Sequence, residues 1–170
     1  MSTENIEITL TIFERCHAAL LAVLADLPEA QANWKPAADS RSIAEIGRHL
    51  VRVDGWFLQQ MGFQPAAGDP ETNDPEAILS ALNTLREQVV TLLRGLADDQ
   101  ELRRERKAPE AERAFSLEYA VKHMSQHYLY HVAQIVYLRR AQDRAWTSPL
   151  ALWEEAVDTI SALTWKGHPD

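Results

Sequence analysis

The sequence predicts an all-α protein, a four-helix bundle with an additional C-terminal helix, formed by a single domain over residues 1–170. Three observations predict it. Apolar side chains recur at spacings of three and four along four long segments and one shorter one, the period of a helix that buries one face. Between those segments lie stretches dense in Pro, Gly, Asn, Asp and Ser, which interrupt helices. Nowhere do apolar and polar residues alternate over a length that would make a strand, and there is no internal repeat.

Composition sets the outer bounds. A chain of 170 residues is long enough to bury about 70% of the surface its unfolded form exposes, so it needs no covalent staple. Cys16 is the single cysteine, one step off an apolar seam and without a resolving partner, and it reads as a small inert residue. No N-terminal stretch joins a basic region to an apolar run, and no apolar run approaches the roughly 20 residues that span a bilayer. The expectation is a cytoplasmic protein with no membrane partner. A formal charge of −8, with no basic stripe to neutralise phosphates, argues against nucleic acid. A glycine-rich phosphate loop and a Cys-x-x-Cys pair are both absent.

The first helix is predicted over about residues 3–26, on the seam Ile6, Leu10, Phe13, His17, Leu20, Leu24 and Leu27. His17 interrupts that row, either as a hydrogen-bonded core residue or as a substitute metal ligand. Residues 28–41 form a connector with one aromatic anchor, Trp34. Ser42 followed by Glu45 is a capping box that starts the second helix, which runs to about Gly62 with the stripe Ile43, Ile46, Leu50, Val53 and Phe57. Residues 62–73 read as a surface loop. Asp74 then caps a third helix that has Pro75 in its first turn and the seam Ile78, Leu82, Leu85, Val89, Leu92 and Leu96. The charged stretch 98–113 reads as a solvated loop or short helix without chemistry. Thr147 or Ser148 with Pro149 opens a fifth helix bearing Leu152, Trp153, Ala156, Val157 and Ile160 on one side, and residues 166–170, His168 among them, are expected to fray.

The fourth helix, over residues 116–140, is the segment around which the others are arranged. Its seam is Leu117, Ala120, Met124, His127, His131, Ile135 and Leu138, with His where Leu would be expected at two successive positions. Residues i and i+4 lie about 6 Å apart along the axis on one face, so both imidazoles can reach a single ion about 2 Å away. His-x-x-x-His also suits a hydrogen-bonded core pair, and spacing leaves both readings open. His123 extends the row, but residues eight apart are about 12 Å apart along the axis, too far for three rings to share an ion. A third ligand would come from another helix. His49, roughly 85° on a helical wheel from the middle of the second helix's stripe, is the candidate. Three nitrogens would leave an open coordination position, as catalytic sites do. Glu45, one turn from His49, is a cap and also a candidate for orienting that ring or moving a proton, and His123 is the other proton-transfer candidate.

Three features resemble the DinB-like superfamily of metal-binding four-helix bundles, which is distinct from the DNA polymerase that shares the name. One is LADLPEAQANWKPAADSRSIAEIGRHLVRVDGWF, where a Trp-x-Pro connector precedes a capped helix carrying His49-Leu50. Another is HYLYHVAQIVYLRR, which looks like the family's His-x-x-x-His-Arg-Gly-Gln-Ile segment. The last is the order of parts, a lone His early and the pair late, so that the likeness covers roughly residues 10 to 60 and 115 to 140. The chain departs from the family at Val132-Ala133, where Arg-Gly is common, and so lacks a cation there; Gln134 is kept, as a hydrogen-bond partner behind a ligand or as an interhelix contact.

The resemblance implies a divalent metal, nickel or zinc, held by His49, His127 and His131, and pairing into homodimers through helix faces. It further implies an enzyme that transfers a low-molecular-weight thiol such as bacillithiol or mycothiol onto a small-molecule electrophile. An ion held by neutral imidazoles keeps its positive charge and can stabilise a thiolate at neutral pH. The same open position could serve a metal-dependent hydrolase. The remaining alternative is a bundle in which the ion only pins helices together.

Overall fold

The computed structural model describes residues 2–164, so the expected fraying of residues 166–170, with His168, lies outside the described residues. Seven helices form among them: α1 (Glu4–Leu24), α2 (Glu29–Asn33), α3 (Ile43–Gln60), α4 (Pro75–Arg94), α5 (Asp99–Arg103), α6 (Leu117–Gln142) and α7 (Leu150–Thr164). The four long ones close a ring in which α1 packs on α6, α6 on α3, α3 on α4 and α4 back on α1. Each turns its apolar stripe inward, giving one continuous core that includes Phe13, Leu20, Leu50, Leu58, Leu82, Leu85 and Met124. No helix among the described residues is long and apolar enough to cross a membrane.

Local chemistry sets the helix starts. Ser42 accepts from the Glu45 backbone N–H while the Glu45 carboxylate accepts from the Ser42 N–H, so α3 opens on a complete capping box. Asp74 and Ser116 cap α4 and α6 through their side chains. Helix α1 has no such residue, since Thr3 makes no side-chain cap. Its cap comes from the middle of the chain. The Asp99 carboxylate, 7% exposed, accepts from the Ile6 N–H at 3.1 Å and the Asn5 side chain at 3.0 Å. The charged stretch read as solvated therefore contributes a buried anion to the start of α1, and Leu102 beside it is fully buried.

The far end of α1 depends on Arg139 of α6. Its guanidinium is buried, donates to the Val23 and Ala25 carbonyls at 3.1 and 2.8 Å, and lies 4.3 Å from the Trp146 ring centroid. These carbonyls would otherwise lack partners where the chain turns through Asp26, at φ 49°. Together Asp99 and Arg139 fix α1 at both ends.

Close approach fixes the α3–α4 contact. A Cβ added at Gly47 would lie 2.6 Å from Cγ2 of Ile78, a branch held close to the backbone of α4. Gly47→Ala is accordingly expected to destabilise the protein by about 1–3 kcal/mol through overpacking, read as a lower urea midpoint. An unchanged midpoint would show that α4 yields without cost.

Helix α7 differs from its sequence reading. It lies on α1 through buried Ala156 and partly buried Ile160 and Leu163, whereas Leu152 and Trp153 remain 36% and 38% exposed. A helix on the outside of a closed bundle rests mainly on α1, so the small Ala156 is buried at that contact while the large side chains flank it.

Candidate functional site

Helices α3 and α6 pack against each other, and their facing stripes bring three imidazoles together. His127 and His131 lie one turn apart on α6, and His49 lies in the second turn of α3, downstream of the capping box. His127 Nε2 is 3.2 Å from His49 Nε2 and 3.0 Å from His131 Nε2. One ring nitrogen from each of the three lies within 4.8 Å of the others. His131 is buried, while His49 and His127 are half-buried.

Three nitrogens facing one another cannot all be satisfied by hydrogen bonds among themselves, since each neutral imidazole has one N–H and one lone pair. The tautomer of His131 is set from behind. Its Nδ1–H donates to Gln134 Oε1 at 2.7 Å, which leaves Nε2 as the lone pair facing His127. His127 Nδ1 is buried without a partner. Burial, then the neighbouring His131, His49 and His123 and the charge of Arg41, pull the His127 imidazole down to about 4. Burial followed by Arg41 lowers His49 as well. Burial also lowers His131, against the opposing effect of its bond to Gln134. All three rings are thereby favoured in the neutral, lone-pair-bearing form at neutral pH.

The cluster opens onto a cavity of about 820 Å³ bounded by α3, α6 and the end of the connector before α3. Beyond the three imidazoles and Gln134 its wall includes Ile46, Ala133 and Leu138 with Tyr130 and Tyr137, and the connector adds Pro36, Ser40 and Arg41. Tyr130 packs edge-on to His131 at a centroid distance of 5.0 Å.

Other residues singled out in the sequence lie elsewhere. Glu45 is engaged by the Ser42 N–H and by Lys35, and it is not among the residues lining the cavity. His123 is exposed one turn before His127, with its ring 5.0 Å from that of Phe57 and 5.8 Å from that of His127, outside the three-nitrogen group. His17 is fully buried beside Phe13 and Tyr128, away from the three-nitrogen group, and its Nε2 has no hydrogen-bond partner. Burial pushes the Cys16 thiol up to about 12, which keeps it protonated and unreactive. Two features had no marker in sequence spacing. Arg41 reaches the cavity from an irregular connector, and Asp54 is buried on α3 with the Tyr128 hydroxyl donating to its Oδ2.

A sequence profile of the DinB superfamily matches residues 12–135, which contain all three histidines of the cluster. The chain belongs to the DinB superfamily. Among solved structures, this DinB protein is similar to YfiT from Bacillus subtilis, with a TM-score of 0.60 and 21% identity over 86% of this chain and 91% of that one. YfiT is described as a probable metal-dependent hydrolase with an unusual four-helix bundle topology, and at this identity the likeness establishes the fold. Among curated proteins none matches the chain in sequence.

Proposed function

We propose that this DinB protein is a metal-dependent hydrolase of a small molecule, with His49, His127 and His131 holding a divalent ion, nickel or zinc. The observation that carries the proposal is the convergence of three Nε2 atoms at one end of a cavity, 3.2 and 3.0 Å apart across His127. Tetrahedral coordination by nitrogens about 2.0–2.1 Å from a metal places neighbouring ligand atoms about 3.3–3.4 Å apart, close to the two separations across His127, and the third pair lies within 4.8 Å. Their depressed proton affinities and the Gln134 contact provide lone pairs where an ion would need them. The description of YfiT as a probable metal-dependent hydrolase supports the reaction class.

Bound there, the ion would supply Lewis acidity at a position open to the cavity. The chain's own residues do the rest. Gln134 holds the His131 ring in one tautomer and orientation. Packing of α3 on α6 fixes the spacing of the three rings, and the apolar wall of Ile46, Ala133 and Leu138 keeps water from one side of a bound molecule.

Thiol transfer is a second reading of the same site. A cavity of about 820 Å³ lies in the upper part of the roughly 300–1,000 Å³ range of small-molecule sites and leaves room for a thiol beside an electrophile.

Elemental analysis of untagged protein, beside a His49→Ala, His127→Ala, His131→Ala variant, tests the site. About one divalent ion per chain is expected in the wild type and none in the variant. Absence of binding even after incubation with several divalent ions would end both readings. With the ion in place, turnover of ester or amide substrates without thiol supports hydrolysis, whereas turnover only with bacillithiol or mycothiol supports transfer.

A further inference from the structure

The cavity wall contains one permanent charge. Arg41 lies just ahead of α3, is exposed, and forms no ion pair among the described residues. The nearest acid along the helix, Glu45, is taken up by Lys35 and the Ser42 N–H. No carboxylate of the described residues lines the cavity. A chain of net charge −8 thus places on the wall of this cavity, along with the three histidines, a guanidinium with no ion-pair partner among the described residues. A guanidinium without an internal ion-pair partner on a cavity wall is available to an anionic ligand.

The rest of the wall indicates what else such a ligand carries. Tyr130 and Tyr137 are two turns apart on α6, about 10 Å along its axis, and are 61% and 71% exposed. Large aromatic faces left open beside Leu138 and Ile46 suit an apolar or aromatic body. A guanidinium pairs in bidentate fashion with carboxylates and phosphates.

We propose that the cavity binds a small amphiphilic oxyanion, with its carboxylate or phosphate on Arg41, its apolar body against Tyr130 and Tyr137, and its reacting group toward the three histidines. This rests on the reading of the cavity as the substrate site of a metal-dependent enzyme. Arg41 is then a specificity-determining residue.

The test uses 4-phenylbutyrate, phenyl phosphate and neutral 4-phenylbutyramide, titrated by calorimetry into full-length wild type and Arg41→Gln, each with zinc and with chelator. One or both anions are expected to bind wild type in either condition. Arg41→Gln is expected to weaken the anion about ten- to hundredfold, the range of a lost charged hydrogen-bonding partner, while leaving amide binding and zinc affinity within twofold. The anion that loses more in the variant identifies the class. Equal anion binding by wild type and variant, or binding of the amide as tight as the carboxylate, would overturn the proposal. Binding that requires zinc and ignores Arg41→Gln would overturn it too, while leaving the metal site intact. A protein that binds no zinc but still shows the Arg41-dependent anion affinity would keep the subsite and remove the metal reading.

Discussion

Between pH 4 and pH 7 the wild-type protein is expected to lose roughly 3 kcal/mol of stability relative to an Asp54→Asn variant, at about 1.4 kcal/mol for each tenfold change in proton affinity. Asp54 is 1% exposed in the middle of the bundle, its Oδ1 without a partner and its Oδ2 accepting from Tyr128. Burial raises its carboxyl from 3.8 to about 7, and the Tyr128 bond only partly opposes this. Below 3.8 both folded and unfolded chains are protonated and the group is neutral to folding. As pH rises from there, the unfolded chain releases the proton first, so stability is lost up to about pH 7 and the loss is complete above it. His17 and His127, both drawn down to about 4 chiefly by burial, act the other way. They favour the folded state increasingly as pH climbs from 4 to 6.5, and the raw wild-type profile therefore conceals the Asp54 contribution. Asn keeps an acceptor for Tyr128 and has no proton to release. Urea titrations of both proteins in chelator, at half-unit pH intervals, isolate the difference, and parallel profiles would show that Asp54 is not buried as an acid.

The bundle was legible because its signals are local and repeated. Ser42–Glu45, Asp74–Pro75 and Ser116 each start a helix within one turn of where the sequence places it. Periodic apolar rows lead to the core faces of α1, α3, α4 and α6. Features made by distant partners were not legible. Asp99 caps a helix more than 90 residues away, and Arg139 closes the end of the same helix, yet in sequence each is one charge among many. The short α2 was missed because five residues, Glu29–Asn33, are too few to show a period.

At the candidate site the same division holds. The i, i+4 relation of His127 and His131 is a helical property and could be read directly. Pairing them with His49 needed the edge-of-stripe position of that residue and the family likeness, and the structure brings the three rings together. The Gln134 contact to His131 lies within one turn and was one of two open alternatives. Arg41 sits in an irregular connector, where no periodicity says which way a side chain points. Its place beside the histidines emerges only once α3 and α6 are packed.

His127 is the middle donor of the proposed metal centre, and His127→Ala is expected to weaken divalent-ion binding more than about a hundredfold. The other two nitrogens each approach His127, at 3.2 and 3.0 Å, so its removal leaves His49 and His131 as a two-donor remnant. Gln134→Ala should cost less, about ten- to hundredfold, because it leaves every donor in place and frees only the orientation of His131. His123→Ala, one turn away but outside the three-nitrogen group, should leave affinity within about threefold, since it removes no donor. Thermal melting with and without zinc separates binding from folding. An ion held at a hundred times its dissociation constant stabilises the folded state by about 2.7 kcal/mol, and that increment should vanish in His127→Ala, shrink in Gln134→Ala and persist in His123→Ala. Without zinc, His127→Ala should melt no earlier than wild type, because it deletes a half-buried ring whose Nδ1 has no partner. A zinc increment that survives His127→Ala would place the ion elsewhere, and a metal-free variant that melts far below wild type would make His127 a packing residue instead of a ligand.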